Sequence, residues 1–550
     1  MPTDIESVLQ FFFDQVKKDI ENDLTMMNSC PHHRIFHAQR ISESLESKVD
    51  QLETFKEQVG DVHDWLLSQQ IDSEERLFAL DTHITSPFRR LSRELIARIL
   101  SHFLNADGIS LISVRQNITQ TPLVLGQICH LWREVALSIP TLWSALHVEF
   151  PQNIAEDEEL KMIGLVKLWM ERSRDAPLTV RVTIFLPARH YLGLRGSSVR
   201  AVFEPLLQHS DRWKDVHLDL SFEALKALVK DRPFTSTLRL PHLETFKLTG
   251  GRESSDVERL TRFPFHPHFN LSSAPRLMKV SLLHIGLFAA SEPAFPWQSL
   301  NELYLVGMHH EVSSDDCHAI LRQCGALRRC RLSITNSSRS PGQVEGQLIR
   351  LDALEWLHIT EHSLSGGGGG DIYHRLICPN LWELILEYLP KESEIFHQHH
   401  SIWTRDAIIS FLSHSPSLMA LQLWNMPMSE RCLIKVLSRV PSITHLTLAG
   451  WRPIHCVGNS LLHRLTFAEV DEMLLQDLEY IDMESQAFTW FYIIDFLESR
   501  IRFADTLRFV RLCSPEMEPL NAGQLLQLAT YEKEGLVVEM VKTRVGEWDS

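Results

Sequence analysis

The stretch LEWLHI, residues 354–359, places apolar side chains at its first, fourth and sixth positions. Side chains alternate between the two faces of an extended strand, so Leu357 and Ile359 share one face while Trp356 and His358 share the other. The same spacing recurs ten more times between residues 213 and 512. The eleven copies begin at Trp213, Leu243, Leu277, Leu300, Leu327, Leu354, Leu381, Leu418, Ile443, Leu478 and Leu507. The sequence therefore predicts a series of short strands that are each apolar on one face.

The copies follow one another at intervals of 23 to 37 residues. These intervals centre on the period of leucine-rich repeats, about 20–29 residues, with a few insertions. Between several copies, apolar residues recur at every third or fourth position, which predicts helices. These helices are expected at 314–324, 404–413, 429–439, 490–500 and 524–533. The asparagine typical of the ninth repeat position is missing, as Leu389 and Met426 illustrate. We therefore expect an α/β chain in which residues 206–550 form an irregular leucine-rich-repeat solenoid, with parallel strands inside and helices outside.

The residues beside the buried strand positions would lie on the concave face of such a solenoid. The middle repeats carry the strongest candidates for recognition, because arginine and tryptophan are enriched at interface hot spots. The predicted substrate-binding residues are Arg329, Arg331, Trp356, His358 and Glu383. The alternative is an ordinary solvated strand face, which carries charged and aromatic residues without any binding role.

A different pattern fills residues 87–150. Apolar residues at 91–103 recur at three- and four-residue steps and predict one apolar stripe on a short helix. A second helix is expected from about Pro122 to Pro140, and residues 141–150 then alternate like a strand. These helices carry more apolar surface than they can bury among themselves, so part of it must contact another domain or another chain.

This segment resembles the F-box of a group of proteins that mushroom-forming fungi carry in large numbers. The first half of the F-box pattern is matched by Pro87, Arg89, Arg90, Leu91, Glu94 and Leu95. The second half is matched by Ile128, Cys129, Trp132, Arg133, Ala136, Leu137, Pro140, Leu142 and Trp143. Two positions depart from the pattern, because Ser92 replaces the usual proline and Leu131 stands where a basic residue is common.

The resemblance implies that residues 86–150 are an F-box that docks a Skp-type adaptor within a cullin complex. The residues expected to form that interface, or the packing that shapes it, are Pro87, Leu91, Leu95, Ile99, Leu100 and Trp132. The chain would then be the substrate-recognition subunit of a Skp/cullin/F-box type E3 ubiquitin ligase, without being an enzyme itself. The alternative is a repeat-based protein-binding scaffold that retains the F-box fold without joining a ligase, and Ser92 favours it slightly.

Two other segments complete the predicted organisation. Residues 1–85 form an acidic helical arm whose apolar residues step by threes and fours, close to a coiled-coil seam. The seam consists of Ile41, Leu45, Val49, Leu52, Phe55, Val59, Val62 and Leu66. It suits either a homodimer through residues 41–66 or a helix that folds back on its own chain. Residues 151–205 read as a connector with one amphipathic helix followed by a short strand.

Composition narrows the possible functions. The formal net charge of the 550 residues is -16, which argues against a general nucleic-acid binder. The nine cysteines are scattered without a C-x-x-C pair, so reduced thiols are expected instead of disulfides or a zinc ribbon. No apolar run reaches the about 18 residues that span a membrane. We therefore expect a soluble protein of the cytoplasm or nucleus.

The sequence offers no catalytic residues, metal ligands or cofactor-binding motif. The glycine run SGGGGGD at 365–371 lacks the lysine and following helix of a phosphate-binding loop, which favours a flexible insertion. The histidines at 397, 399 and 400, and those at 32 and 33, have no spaced cysteine or carboxylate partners. Binding of a protein substrate, without bond chemistry, is the expected activity.

Overall fold

The computed structural model describes 22 segments of the chain: residues 10–11, 14–22, 25, 34–85, 91–103, 110–112, 122–150, 156–184, 195–229, 238–250, 270–284, 295–307, 312–335, 348–362, 372–389, 405–426, 428–450, 457–466, 474–485, 488–503, 506–514 and 520–541. The chain divides into two compact units, Met1–Ser92 and Arg93–Ser550.

The first unit contains a long helix, α1, over Arg34–Thr85. All eight residues of the predicted seam lie on this helix. Leu45, Leu52 and Phe55 are partly buried, and Lys48 Nζ lies 3.8 Å from Asp19 Oδ2 of a preceding segment. Farther along α1 the seam is uncovered, since the side chains of Val59, Val62 and Leu66 are exposed.

The second unit begins with three short helices: α2 over Arg93–Phe103, α3 over Pro122–Ile128 and α4 over His130–Ser138. A 3₁₀ turn, Pro140–Trp143, follows α4, because Pro140 cannot continue the helix. The core beneath these helices includes Ile96, Leu100, Leu125, Val135 and Ala136.

A long parallel sheet makes up the body of the second unit. Sixteen of the described strands form this sheet, and fifteen of them lie side by side in the order in which they occur along the chain. The remaining strand, β8, pairs with the C-terminal end of β9. The strands are β1 Ser110–Ile112, β2 Ala145–Phe150, β3 Leu178–Ile184, β4 Trp213–Leu220, β5 Thr245–Gly250, β6 Lys279–Leu283, β7 Glu302–Val306, β8 Val312–Ser313, β9 Arg329–Thr335, β11 Trp356–His362, β13 Glu383–Leu389, β14 Ala420–Trp424, β15 His445–Ala449, β16 Tyr480–Glu484, β17 Phe509–Cys513 and β18 Val537–Val541. Two further strands, β10 Ile349–Arg350 and β12 Leu376–Ile377, pair with each other.

Helices connect several of these strands. They are α5 Glu156–Ser173, α6 Arg195–Gln208, α7 Phe222–Val229, α8 Ser314–Leu321, α9 Arg405–Ser413, α10 Glu430–Leu437, α11 Asn459–Leu465, α12 Trp490–Phe503 and α13 Ala522–Lys533. The five helices predicted from apolar spacing are all present, although α8 ends three residues early and α12 ends three residues late. Strands that pair in parallel need such crossover connections, and the alternation gives an α/β, solenoid-like arrangement.

The apolar positions of the strand motif are buried as predicted. Burial alternates strictly along β2 and β5, and the fourth and sixth motif residues of β11, Leu357 and Ile359, are buried. Trp356 and His358 of the same strand lie on the opposite, partly exposed face. The predicted face assignment is therefore confirmed for this strand.

The sheet extends beyond both ends of the predicted repeat series. Strands β1, β2 and β3 precede residue 206, and residues 93–150 belong to the same compact unit as the sheet. Trp143, Leu146 and Val148 have the repeat spacing and are buried, so the strand predicted within residues 141–150 is β2 of this sheet, although the sequence analysis placed it in a separate F-box domain. Strand β18 was missed because Gly535, with φ of 93°, occupies its first motif position in place of an apolar residue.

Trp143 joins the helices to the sheet. Its indole Nε1 donates a hydrogen bond of 3.0 Å to the carbonyl oxygen of Ala136 on α4. Its ring packs edge-on against Trp169 of α5, with ring centroids 5.0 Å apart, and the Arg172 guanidinium lies 4.3 Å from the ring centroid. Because β2 begins two residues later, this side chain fixes α4 against the start of the sheet.

A buried arginine organises the other end of the sheet. Arg500 of α12 is fully buried and donates hydrogen bonds of 2.9, 2.7 and 2.7 Å to the carbonyl oxygens of Leu465, Leu475 and Leu474. Burial lowers the pKa of Arg500 to about 10, so the guanidinium remains charged at neutral pH. One side chain thus donates to three backbone carbonyls near α11.

We predict that Arg500→Met lowers the free energy of unfolding by about 3 kcal/mol, because each of the three carbonyls loses a charged donor. Urea denaturation followed by circular dichroism measures this change. The matched control is Arg502→Met, since the Arg502 side chain is 69% exposed and forms a surface ion pair with Glu498. An equal effect of the two substitutions would contradict a stabilising role for the buried hydrogen bonds.

Candidate binding face

Two columns of side chains run across the exposed face of the sheet, because successive strands pair in one register. The first column contains Lys279, Glu302, Arg329, Trp356, Glu383, Ala420, His445, Tyr480 and Phe509. The second column contains Ser281, Tyr304, Arg331, His358, Ile385, Gln422, Thr447, Asp482 and Arg511. The five predicted substrate-binding residues are neighbours within these columns.

Arg329 and Trp356 form the exposed part of the predicted patch. The Arg329 guanidinium lies 5.5 Å from the centroid of the Trp356 ring, within the range of a cation–π interaction. The Trp356 ring also packs edge-on against His358, with centroids 5.9 Å apart, and tilts against Tyr304 at 6.3 Å. This part of the face is basic and aromatic, as the sequence predicts.

Arg331 and His358 are mostly buried and belong to a polar cluster with Glu387. His358 Nε2 lies 3.4 Å from Glu387 Oε2, which also accepts a 3.0 Å hydrogen bond from Thr360 Oγ1. Burial lowers the pKa of His358 against the opposing effect of Glu387. Burial alone would raise the pKa of Glu387, but the hydrogen bonds and the charge of Arg331 outweigh it and lower that pKa. At neutral pH, His358 is therefore neutral and Glu387 is ionised. These mostly buried side chains pack beneath the exposed residues of the face.

Glu383 lies at the edge of a depression farther along the sheet. Burial raises its pKa, although a 3.0 Å hydrogen bond from Gln422 Nε2 to its Oε1 opposes that effect. The depression has a volume of about 430 Å³. Its lining residues are Trp382, Glu383, Ala420, Gln422, Trp424, His445, Thr447, Tyr480, Asp482 and Arg511. Of the five predicted residues, Glu383 alone is among those that line this cavity, and it also pairs with Trp356 on the neighbouring strand.

The far wall of the depression is a stack of aromatic rings. His445 and Tyr480 stack with centroids 5.8 Å apart, and Tyr480 stacks on Phe509 at 4.8 Å. The Arg511 guanidinium lies 5.6 Å from the Phe509 centroid. The repeat spacing could identify these positions as exposed, but no signal in the sequence marks them as the wall of a cavity.

The residues predicted to bind an adaptor divide between core and surface. Leu100 is 1% exposed, Leu91 and Trp132 are partly buried, and Pro87 lies outside the described residues. Leu95 and Ile99 of α2 are 50% and 40% exposed. A further apolar side chain that the sequence analysis did not select, Ile128 at the end of α3, is 53% exposed.

The structure brings together four cysteines that are scattered in the sequence. Cys317, Cys324, Cys330 and Cys378 are buried. Burial is the main cause that raises the pKa of Cys330 well above its usual value, and the other three thiols raise it further. Burial also raises the pKa of Cys324 and of Cys378 to about 12, so these thiols are protonated and unreactive at neutral pH. Within the described segments, no group of three or more histidine, cysteine, aspartate or glutamate side chains is placed to hold a metal ion.

The described helices include none that is both long enough and apolar enough to cross a membrane. No protein-family model matches this chain, and no curated protein matches it either.

At the N-terminal end of the sheet, two histidines flank an arginine on the same face. His147 pairs with Arg181, and Arg181 pairs with His217, on neighbouring strands. Burial, and then the positive charge of Arg181, lower the pKa of each histidine to about 4. The unfolded chain, with histidine pKa values near 6.5, therefore binds more protons than the folded chain between about pH 6.5 and pH 4. Stability is lost as the pH falls through this window.

We predict that a His147→Gln, His217→Gln variant loses less thermal stability than the wild type between pH 7 and pH 4.5, because two protonation sites of the unfolded chain are removed. Thermal unfolding followed by circular dichroism at both pH values measures the two decreases in Tm. The control is His414→Gln, which replaces an exposed histidine after α9. Its Tm should decrease between the two pH values by as much as that of the wild type. If the double variant decreases as much as the wild type, these histidines do not cause the acid sensitivity.

Proposed function

We propose that the chain is the substrate-recognition subunit of a Skp/cullin/F-box type ubiquitin ligase, with an F-box around α2–α4 and leucine-rich repeats in the sheet. The observation that carries the proposal is the division of the apolar stripe on α2. Ile96 and Leu100 fill the core, whereas Leu95 and Ile99 face solvent on the same helix. A helix with two apolar sides of this kind can pack on its own domain and on a partner at the same time.

The exposed apolar side chains supply a physical reason for docking. Burying one leucine or isoleucine side chain contributes about 1.5–3 kcal/mol relative to leaving it in water. Leu95 and Ile99 are one turn apart on α2, so a single complementary groove could cover both. Clustered exposed apolar residues of this kind mark protein interaction sites more often than scattered ones do.

The face of the sheet would bind the protein substrate. A subunit that holds a substrate in this way contributes proximity, since it raises the concentration of the substrate near a conjugating enzyme carried by other subunits. The role requires no catalytic group on this chain. Arg329, which is exposed, and the adjacent, partly exposed Trp356 would supply part of the contact.

A scaffold that binds proteins through the sheet without joining a ligase remains the second candidate. Ser92, which is exposed immediately before α2, is the feature that favours it, because the resembled pattern has a proline at this position. Such a scaffold would bind partners through the same face but would not bind a Skp-type adaptor.

Co-purification of the full chain with a Skp-type adaptor from a mushroom-forming fungus tests the proposal. We predict that the wild type retains the adaptor and that Leu95→Asp, Ile99→Asp reduces retention at least tenfold, because two charges enter an apolar interface. Both residues are exposed, so the variant should keep the Tm of the wild type.

Leu525→Asp, Leu526→Asp is the matched control, since it places two charges on the exposed apolar surface of α13. This variant should retain the adaptor like the wild type. If the wild type fails to bind the adaptor, or if both variants bind equally well, the ligase proposal is wrong and the scaffold takes its place.

We also propose that the arm pairs with a second copy of the chain through the uncovered part of α1. The exposed seam residues Val59, Val62 and Leu66 follow the spacing of a coiled coil, whereas Leu45, Leu52 and Phe55 earlier in the seam are already partly buried within one chain. We predict a dimer in sedimentation equilibrium that becomes monomeric in Val62→Asp, Leu66→Asp. A wild-type chain that sediments as a monomer at micromolar concentration would contradict this pairing.

A further inference from the structure

The depression near the C-terminal strands results from one small side chain in the first column, that of Ala420. Ala420 stands between Glu383 and His445 on neighbouring strands, and its side chain is much smaller than either. The missing side-chain volume leaves the cavity of about 430 Å³, which is within the range of about 300–1,000 Å³ for ligand pockets. The cavity is open to the exposed face of the sheet, where an extended peptide could reach it.

A relay of two hydrogen bonds crosses the cavity and ends at the carboxylate of Glu383. Trp424 Nε1 donates to Gln422 Oε1 at 3.3 Å, and Gln422 Nε2 donates to Glu383 Oε1 at 3.0 Å. This relay fixes the orientation of the Gln422 amide. Its end point is a carboxylate whose pKa is already raised by burial.

The guanidinium of the cavity is also directed to carboxylates. Arg511 Nε donates a 2.8 Å hydrogen bond to Glu539 Oε2, and its Nη1 lies 3.7 Å from Asp482 Oδ2. Asp482 is 2% exposed. Three carboxylates, those of Glu383, Asp482 and the adjacent Glu539, face two guanidiniums, those of Arg511 and of Arg329, whose charge acts on Glu383, so the region of the cavity has an excess of one negative charge.

Aromatic faces surround this excess of negative charge. Tyr480 is held between His445 and Phe509 in a stack, so its orientation is fixed before any ligand arrives. Trp382 is 45% exposed at the edge of the cavity, and Trp424 lies on the neighbouring strand. Aromatic faces attract cations, and the attraction is stronger where water is partly excluded.

We propose that this cavity binds the side chain of an arginine in an extended segment of a partner protein. The proposal rests on the proposed function in one respect, because it identifies the chemistry of the protein that the face binds. An acidic side chain would meet Glu383 and Asp482, which would repel it. A guanidinium suits the site better than an ammonium, because it is planar, stacks on aromatic rings and can donate two parallel hydrogen bonds to one carboxylate.

The test uses the full chain and four fluorescent peptides of sequence GSGXGSG, in which X is arginine, lysine, glutamine or glutamate. Fluorescence anisotropy measures the four Kd values at low ionic strength, where screening is weak. We predict that the arginine peptide binds at least tenfold more tightly than the glutamine and glutamate peptides, and more tightly than the lysine peptide. A glutamine or glutamate peptide that binds as tightly as the arginine peptide overturns the proposal, and a lysine peptide that does so overturns the assignment to arginine.

Two variants locate the binding. Glu383→Gln removes one negative charge from the cavity and should raise the Kd of the arginine peptide at least tenfold. Thr447→Arg leaves both carboxylates in place but supplies a guanidinium from the chain itself, between Gln422 and Asp482, and should abolish binding. Its effect does not depend on how well the chain tolerates a change at Glu383.

The matched control is Glu244→Gln, which removes one partly exposed carboxylate at the start of β5, where Glu244 pairs with Lys214 at 3.5 Å. It should leave the Kd of the arginine peptide unchanged. The proposal is overturned if the wild type does not bind the arginine peptide, if Glu383→Gln and Glu244→Gln have equal effects, or if Thr447→Arg still binds. Adaptor docking is a separate property, so Leu95→Asp, Ile99→Asp should bind the peptide normally while Glu383→Gln should retain the adaptor. Failure of one proposal is thereby distinguished from failure of the other.

Discussion

The constant register between neighbouring parallel strands is the constraint on which the rest of the structure depends. Leu357 of β11 is paired with Cys330 on one side and with Leu384 on the other, and the buried positions correspond in the same way along the sheet, with a register shift at the start of β3. A shift of one residue in any pair would move the apolar side chains of that strand to the exposed face. The register thus builds a continuous core and, as a necessary consequence, the two columns of side chains on the opposite face.

Much of this fold could be predicted from the sequence, because the buried face of each strand requires apolar residues at the first, fourth and sixth positions of the motif. The prediction was incomplete where one of these positions is not apolar. Gly535 occupies the first position before β18, which the sequence analysis missed, and Pro177 occupies the first position before β3, which was predicted as a strand of the connector but not as part of the repeat series. Trp143 does complete the pattern in β2, but it also completes a helical motif, and sequence alone could not show that one side chain serves both elements.

The face was more predictable than the cavity it contains. Strand alternation is sufficient to place Arg329, Trp356 and Glu383 on one surface, since it depends only on backbone geometry. The cavity depends on the sizes of side chains from strands that are far apart in the sequence. Ala420 is unremarkable within its own repeat and becomes important only between Glu383 and His445. The same limit applies to the prediction of helix α2. Its periodicity identified the apolar stripe, but it could not show whether Leu95 or Ile96 would pack into the core.

The position of Trp143 gives the molecule a property that neither the helices nor the sheet would have alone. Its indole is hydrogen-bonded to α4, and its ring is packed against α5, which connects the first strands. The short helices and the sheet therefore belong to one compact unit, instead of two domains on a flexible linker. A flexible linker would spread a bound protein over many positions and dilute its effective concentration near the short helices, where the proposed adaptor would dock. A packed junction restricts those positions, so a substrate held on the sheet would be presented in a limited range of orientations. For a subunit whose contribution is proximity, the packing around Trp143 would therefore matter as much as the residues that touch either partner.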